Sequence, residues 1–185
     1  MTIFKESDLQ FEFSDKWWIV QYDNLIDYKK LNDAIEGSKA VDFIGVLNNK
    51  TLALFEVKNF RGHRIQNKPR VHGGDDPIEL EVARKVRDTL AGIVAASRHS
   101  THLKAEWGKV LDIFKNTNKN IEVILWLEED LPPQYSATLK AKKMQARGGT
   151  LTKRLQQKLE WLTQRVFVCN ISENDYEDTL KVSYL

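Results

Sequence analysis

The chain has one cysteine, Cys169, only four prolines, and no apolar run as long as a membrane span. A lone cysteine excludes an internal disulfide and a cysteine-built zinc site. The lack of a long apolar run excludes a spanning helix, so no membrane partner is expected. The opening residues, MTIFKESDLQFEF, carry charges where a secretory signal needs an apolar stretch, which points to the cytoplasm. Neither sign of charge dominates: 28 Lys and Arg face 26 Asp and Glu, a net of +2. That excludes a strongly basic tail protein. There is no Walker A loop and no Ser-His-Asp arrangement, so NTPase and hydrolase-triad readings find no support. What remains is a globular chain of 185 residues with 42% hydrophobic and 29% charged residues. It is long enough for one domain with a real core.

The near-neutral total hides an uneven layout. Residues 1–60 carry ten acids against seven Lys or Arg, whereas 61–72 carry four basic residues and no acid. Residues 135–165 carry eight Lys or Arg against Glu160 alone. Such a chain can still present a positive face to a polyanion, although a charge run by itself more often marks a solvated helix.

Residues 10–22 are rich in aromatic and β-branched side chains and read as a hairpin or one long strand, with Ser14-Asp15-Lys16 as the turn. Helical spacing follows at 24–36, then strands at 40–47 and 51–58 around an Asn48-Asn49-Lys50 turn. The stretch 59–77 holds five Gly or Pro and reads as a loop. Helices are expected at 78–98 and 103–115, and a buried central strand at 121–127. Two further helices, 136–146 and 150–164, are separated at Gly148-Gly149, and closing strands are expected at 166–171 and 179–185. The pattern predicts an α/β domain with a central mixed sheet flanked by helices. A motif-bearing core spans about 20–127, and a basic helical and strand extension about 134–185.

The chemistry concentrates in 36–62. Asp42 interrupts an apolar strand, Glu56 lies near the end of the next, and Lys58 follows at i+2, hence on the same strand face as Glu56. Pairing through the Asn48-Asn49 turn centres the hairpin at residue 49 and sets Asp42 opposite Glu56. Two acids facing each other in an apolar sheet repel, and a divalent cation resolves the conflict, because carboxylates are the ligands Mg²⁺ prefers. The Val57 carbonyl is a third candidate ligand. Lys58 would then orient water and stabilise negative charge on a phosphorane-like transition state. The competing reading is a surface strand whose charges face water, with Phe55 and Val57 buried.

Asp42 followed by Glu56-Val57-Lys58 at a strand end resembles the PD-(D/E)XK nuclease superfamily. The words Lys39-Ala40-Val41-Asp42-Phe43-Ile44 and Phe55-Glu56-Val57-Lys58-Asn59-Phe60-Arg61-Gly62 also resemble uncharacterised bacterial proteins placed in that group. The resemblance implies a restriction-endonuclease-like αβββαβ core, dependence on Mg²⁺ or Mn²⁺, and a nucleic-acid substrate, DNA favoured. Asp42, Glu56 and Lys58 would be catalytic, with Asp42, Glu56 and Val57 on the metal. Many members add an acid from the first helix, and Glu36, with Asp33 behind it, is the candidate here. The family proline is absent, with Val41 in its place. Little room is left for a strand between helix 24–36 and Asp42, so that strand comes from 17–22 or is degenerate.

Beyond the motif, Arg61, Arg64, Lys68 and Arg70 crowd the following segment and are expected to hold phosphates. Lys85, which shares a polar stripe with Glu81 and Asp88, is the pick from helix 78–98. Lys140, Lys143 and Arg147, with Lys142, Lys153 and Arg154, are the distal DNA-contact candidates. His63 and His72 have no partner spacing that supports an acid or base role and read as structural or merely exposed. The five tryptophans are not expected to form a base-stacking platform. A catalytically silent module of the same fold is the alternative, and a homodimer surface formed by the sheet edge and aromatic N-terminus is the competing interaction reading.

Overall fold

The computed structural model describes residues 1–130 and 136–185, without the side chains at 137, 140, 141, 143, 144 and 147. A three-stranded antiparallel sheet contains β1 (Thr2–Glu6), β2 (Leu9–Phe13) and β8 (Leu180–Tyr184) in the order β1-β2-β8. A five-stranded sheet runs in sequence order: β3 (Trp17–Gln21), β4 (Phe43–Leu47), β5 (Thr51–Asn59), β6 (Asn120–Glu128) and β7 (Val166–Cys169). β3, β4 and β5 are antiparallel neighbours, while β5, β6 and β7 are parallel. Parallel neighbours need crossovers. α2 (Arg64–Val71), α3 (Ile78–His99) and α4 (Lys104–Lys115) lie between β5 and β6, and α5 (Ala137–Leu159) lies between β6 and β7. α1 (Ile26–Ala34) connects β3 to β4 after a 3₁₀ turn at Tyr22–Asn24. No helix among the described residues is long and apolar enough to cross a membrane.

The large sheet is the middle of three layers. Along β5 the even positions Leu52 and Leu54 join the cluster beneath the helices, whereas Ala53, Phe55 and Val57 join the cluster beneath the small sheet. Both faces of this strand are covered, which is why its sequence is a nearly continuous apolar run. The small-sheet side is aromatic: Phe13 meets Phe55 at 5.7 Å and Phe11 meets Trp126 at 5.6 Å, both edge-on.

Several expectations require correction. Residues 10–22 form no hairpin, because β2 and β3 belong to different sheets. The hairpin partner of β2 is β1, across Ser7 and Asp8, which take φ of 52° and 60°. The 59–77 stretch contains α2, a short helix that includes Pro69 although the proline lacks the N–H that would bond to the carbonyl four residues earlier. α5 runs unbroken through Gly148-Gly149. Leu151, Leu155 and Leu159 recur every four residues and are buried, and that stripe outweighs roughly 1 kcal/mol of helix propensity lost at each glycine. β7 and β8, in the stretch read as an extension, complete the two sheets. The first strand of the large sheet comes from 17–21, so α1 follows that strand instead of leading it, and the αβββαβ order is altered at its start.

Candidate functional site

The Asn48-Asn49-Lys50 turn forms as expected, with Asn48 and Asn49 at φ of 51° and 54°. It sets Phe43 opposite Phe55, the register centred on residue 49. Asp42 then leaves the ladder just ahead of β4. Its N–H donates to the Phe55 carbonyl (2.9 Å), and its Oδ2 accepts the Val57 N–H (2.6 Å). The Asp42 carbonyl accepts the Tyr22 N–H (2.8 Å), which pins the 3₁₀ turn to the same spot. Gly92 on α3 makes room for this turn, since a Cβ there would collide with the Tyr22 hydroxyl.

Glu56 follows Leu52 and Leu54 on the helix-facing side of β5 and is fully buried. It is therefore not part of a surface strand. Its Oε1 lies 2.8 Å from Lys58 Nζ and 2.7 Å from Lys85 Nζ, while its Oε2 is buried without a partner. Lys85 Nζ also stands 3.6 Å from Asp42 Oδ1, so one ammonium bridges the two carboxylates. Lys58 Nζ is 3.0 Å from Glu81 Oε1, and the other Glu81 oxygen pairs with the Arg70 guanidinium. Four elements thus converge: the lead into β4, the end of β5, α2 and the first two turns of α3.

Burial dominates the electrostatics. It pushes the Glu56 carboxyl up to about 7, with the neighbouring Asp42 charge adding to it and Lys85 and Lys58 opposing. Burial also raises Asp42, against Lys85 and the Val57 N–H. Asp23 in the 3₁₀ turn rises to about 6, through burial and then the charges of Asp42 and Glu6, and its Oδ1 is buried without a partner. Burial alone would lower Lys58 and Lys85. Glu56 and Glu81 around Lys58, and Glu56 and Asp42 around Lys85, outweigh it and keep both ammoniums charged. Burial raises Glu81 less than Lys58, Arg70 and Lys85 lower it, so it stays ionised.

Asp42, Glu56, Val57, Lys58, Lys85 and Arg70 are brought together. Glu36 is not: it lies beyond the end of α1, exposed in a groove with Ile35, Gly37 and Arg87, and Asp33 is exposed on α1. The nearby acid that sequence reasoning missed is Asp23. Glu81 was also missed as a participant, although it sits one helical turn before Lys85 and so shares its face. Arg61 stacks over the Tyr184 ring at 3.5 Å and bonds Asn59, while Arg64 and Lys68 lie on α2. Arg154 is held by Glu79 and the Val71 carbonyl, a structural role. Lys140, Lys143 and Arg147 lie on α5, and their side chains are outside the described part of the structure.

Among the described residues no group of three or more His, Cys, Asp or Glu side chains is arranged to hold a metal. The donor chemistry nevertheless suits a hard divalent cation. Asp42, Glu56 and Asp23 offer carboxylate oxygens, and two of those oxygens are buried and unpartnered. The Val57 carbonyl leaves β5 on the same edge as the N–H that Asp42 accepts.

No family model matches the chain, and no solved structure matches it. Over 122 residues it is similar, at 29% identity, to a cysteine–tRNA ligase of Neisseria meningitidis (serogroup A, serotype 4A). The match covers 52% of this chain and 17% of the ligase, so the chain spans a small part of that protein's length.

Proposed function

We propose that this chain is a metal-dependent nuclease hydrolysing phosphodiester bonds, most naturally in DNA, on a restriction-endonuclease-like core. The observation that carries this reading is Glu56. It is a fully buried carboxyl with a bare oxygen, beside Asp42 and between two lysines. Packing alone gives no reason to place two acids and two ammoniums under a helix layer, because an ion cluster of this kind costs desolvation that an apolar cluster avoids. The β3-β4-β5 antiparallel run, followed by a helical crossover to parallel β6, supports the proposed core.

Asp42, Glu56 and the Val57 carbonyl would hold Mg²⁺ or Mn²⁺, with Asp23 as an adjoining acid. A bound divalent cation supplies Lewis acidity toward a phosphoryl oxygen and lowers the pKa of a water. Lys58 orients the attacking water and offsets negative charge as it develops on the phosphorus oxygens. Glu81 acts on Lys58 as a positioning residue, and Arg70 holds Glu81 in turn. Lys85 keeps Glu56 close to Asp42.

One observation favours a second reading, a catalytically silent module of the same fold. Lys85 already bridges the two carboxylates and neutralises part of their charge without a cation. Cleavage separates the two. Labelled duplex, single-stranded and branched DNA, RNA and tRNA are incubated with Mg²⁺ or Mn²⁺, with EDTA as the control. Cutting that disappears in EDTA and in Asp42→Ala and Lys58→Ala proteins is the expected result. Binding without cutting, unchanged in both variants, would establish the silent module.

A further inference from the structure

The proposed centre uses one stripe of α3, Glu81 and Lys85. A neighbouring stripe, Leu80, Ala83, Arg84 and Arg87, lines a separate open groove of about 520 Å³ whose other wall is Trp161. Trp161 lies in the turn after α5 and is 56% exposed. Its indole Nε1 donates to the Lys158 carbonyl at 3.0 Å, which tethers the ring at its edge while most of the side chain stays in water. Arg84 is exposed and makes no ion pair among the described residues. Arg87 pairs with Asp88 on its own helix at 2.8 Å, with 67% of its side chain exposed. A surface pair of that kind is worth little, so a phosphate competes for the guanidinium readily.

An aromatic wall, a small apolar floor and two guanidiniums at the rim together match a nucleobase joined to its phosphates. We propose that this groove binds single-stranded nucleic acid, with a base stacked on Trp161 and adjacent phosphates on Arg84 and Arg87. Stacking of this kind tolerates any sequence, because every base has a π-face, but it requires a base free of its duplex. Arg84 immediately precedes Lys85, which puts the groove about 100° round the helix axis from the centre. A strand held there lies on the face next to the proposed scissile phosphate. A second copy of the chain is a poor occupant, because a twofold contact through this patch brings arginines toward arginines. The inference deepens the nuclease reading by naming its substrate class, and rests on that reading only for what happens to the strand once bound.

The test is anisotropy of a short labelled oligothymidylate and of a duplex of equal length, measured in EDTA so that nothing is cut. The single strand is expected to bind at least about tenfold more tightly and to quench tryptophan fluorescence. Trp161→Ala weakens binding by roughly tenfold, and Trp161→Phe restores most of it. Arg84→Ala combined with Arg87→Ala lowers the dependence of log affinity on log salt by about 1.4 units. Equal affinity for duplex, or unchanged affinity in Trp161→Ala, overturns the proposal. So does self-association, or a preference for an acidic peptide, that depends on Trp161. The phenylalanine and arginine variants keep the test decisive should the alanine protein fail to fold. Strand binding without metal-dependent cutting removes the nuclease reading and leaves the groove; cutting that ignores Trp161 and the arginines does the reverse.

Discussion

Glu56 sets the behaviour of the centre, and its protonation gives the sharpest prediction at the residue scale. Its carboxyl rises from an ordinary 4.5 to about 7 on folding, and Asp23 rises from 3.8 to about 6. An acid raised by folding binds more protons in the native state, so stability falls as pH rises through the interval between the two values. For these residues that interval runs from about 4 to 7. Denaturant unfolding should show stability declining across it, and Glu56→Gln should flatten the decline while also removing the carboxylate that Lys58 and Lys85 pair with. An unchanged pH profile in the variant would show that the Glu56 carboxyl is not raised. A cation at the proposed site would compete with the same proton. Added Mg²⁺ is expected to raise the melting temperature at pH 8, by an amount equivalent to about 2.7 kcal/mol at a hundredfold excess over Kd. That gain should shrink below pH 7 and vanish in Asp42→Ala; calorimetry at two pH values reads it directly. Glu56 and Lys58 were legible from the sequence because a strand's two-residue period places them on one face. Asp23 was not, because nothing local distinguishes it from the other acids of the first third.

At the scale of elements, α3 is the hinge between packing and chemistry. Its buried stripe of Val82, Val86 and Ile93 lies on the sheet, and one flank delivers Glu81 and Lys85 to the end of β5. Gly92 belongs to this design, since its missing side chain admits Tyr22, the neighbour of Asp23 and the donor to the Asp42 carbonyl. Gly92→Ala should therefore destabilise the protein by about 1–3 kcal/mol, read as a lower denaturant midpoint, despite the higher helix propensity of alanine. Gly149 in α5 is the opposite case. It is exposed, helical, and a Cβ there meets nothing within 4 Å. Gly149→Ala should stabilise by about 0.4–1 kcal/mol in the same measurement. The pair shows why glycine in a helical pattern is ambiguous: spacing is identical, and only the neighbour across the interface decides. Read from composition, Gly148-Gly149 marks a break; buried leucines on the following turns override it.

For the molecule as a whole, the small sheet stiffens the layer that carries the centre. Leu180 on β8 is fully buried and pairs with Phe13, which packs on Phe55, the residue before Glu56. Leu180→Ala should cost about 2–5 kcal/mol, measured by denaturant unfolding, through the cavity left between sheets. What the sequence by itself determined rests on short periods and local rules. The Asn48-Asn49 turn, the register it sets, the buried run of β6, the amphipathic α3 and the Glu56/Lys58 face all follow from spacing a few residues long. Tertiary structure alone decided which strands share a sheet across long stretches of chain, and hence that β2 pairs with β8 while β3 joins β4. It also decided that Lys85 reaches both acids, that Asp23 and not Glu36 stands beside Asp42, and that Trp161 meets Arg84 and Arg87 across a groove. These pairings join residues far apart in the chain. Their energies come from burying shared surface, a quantity that no window of neighbouring residues contains.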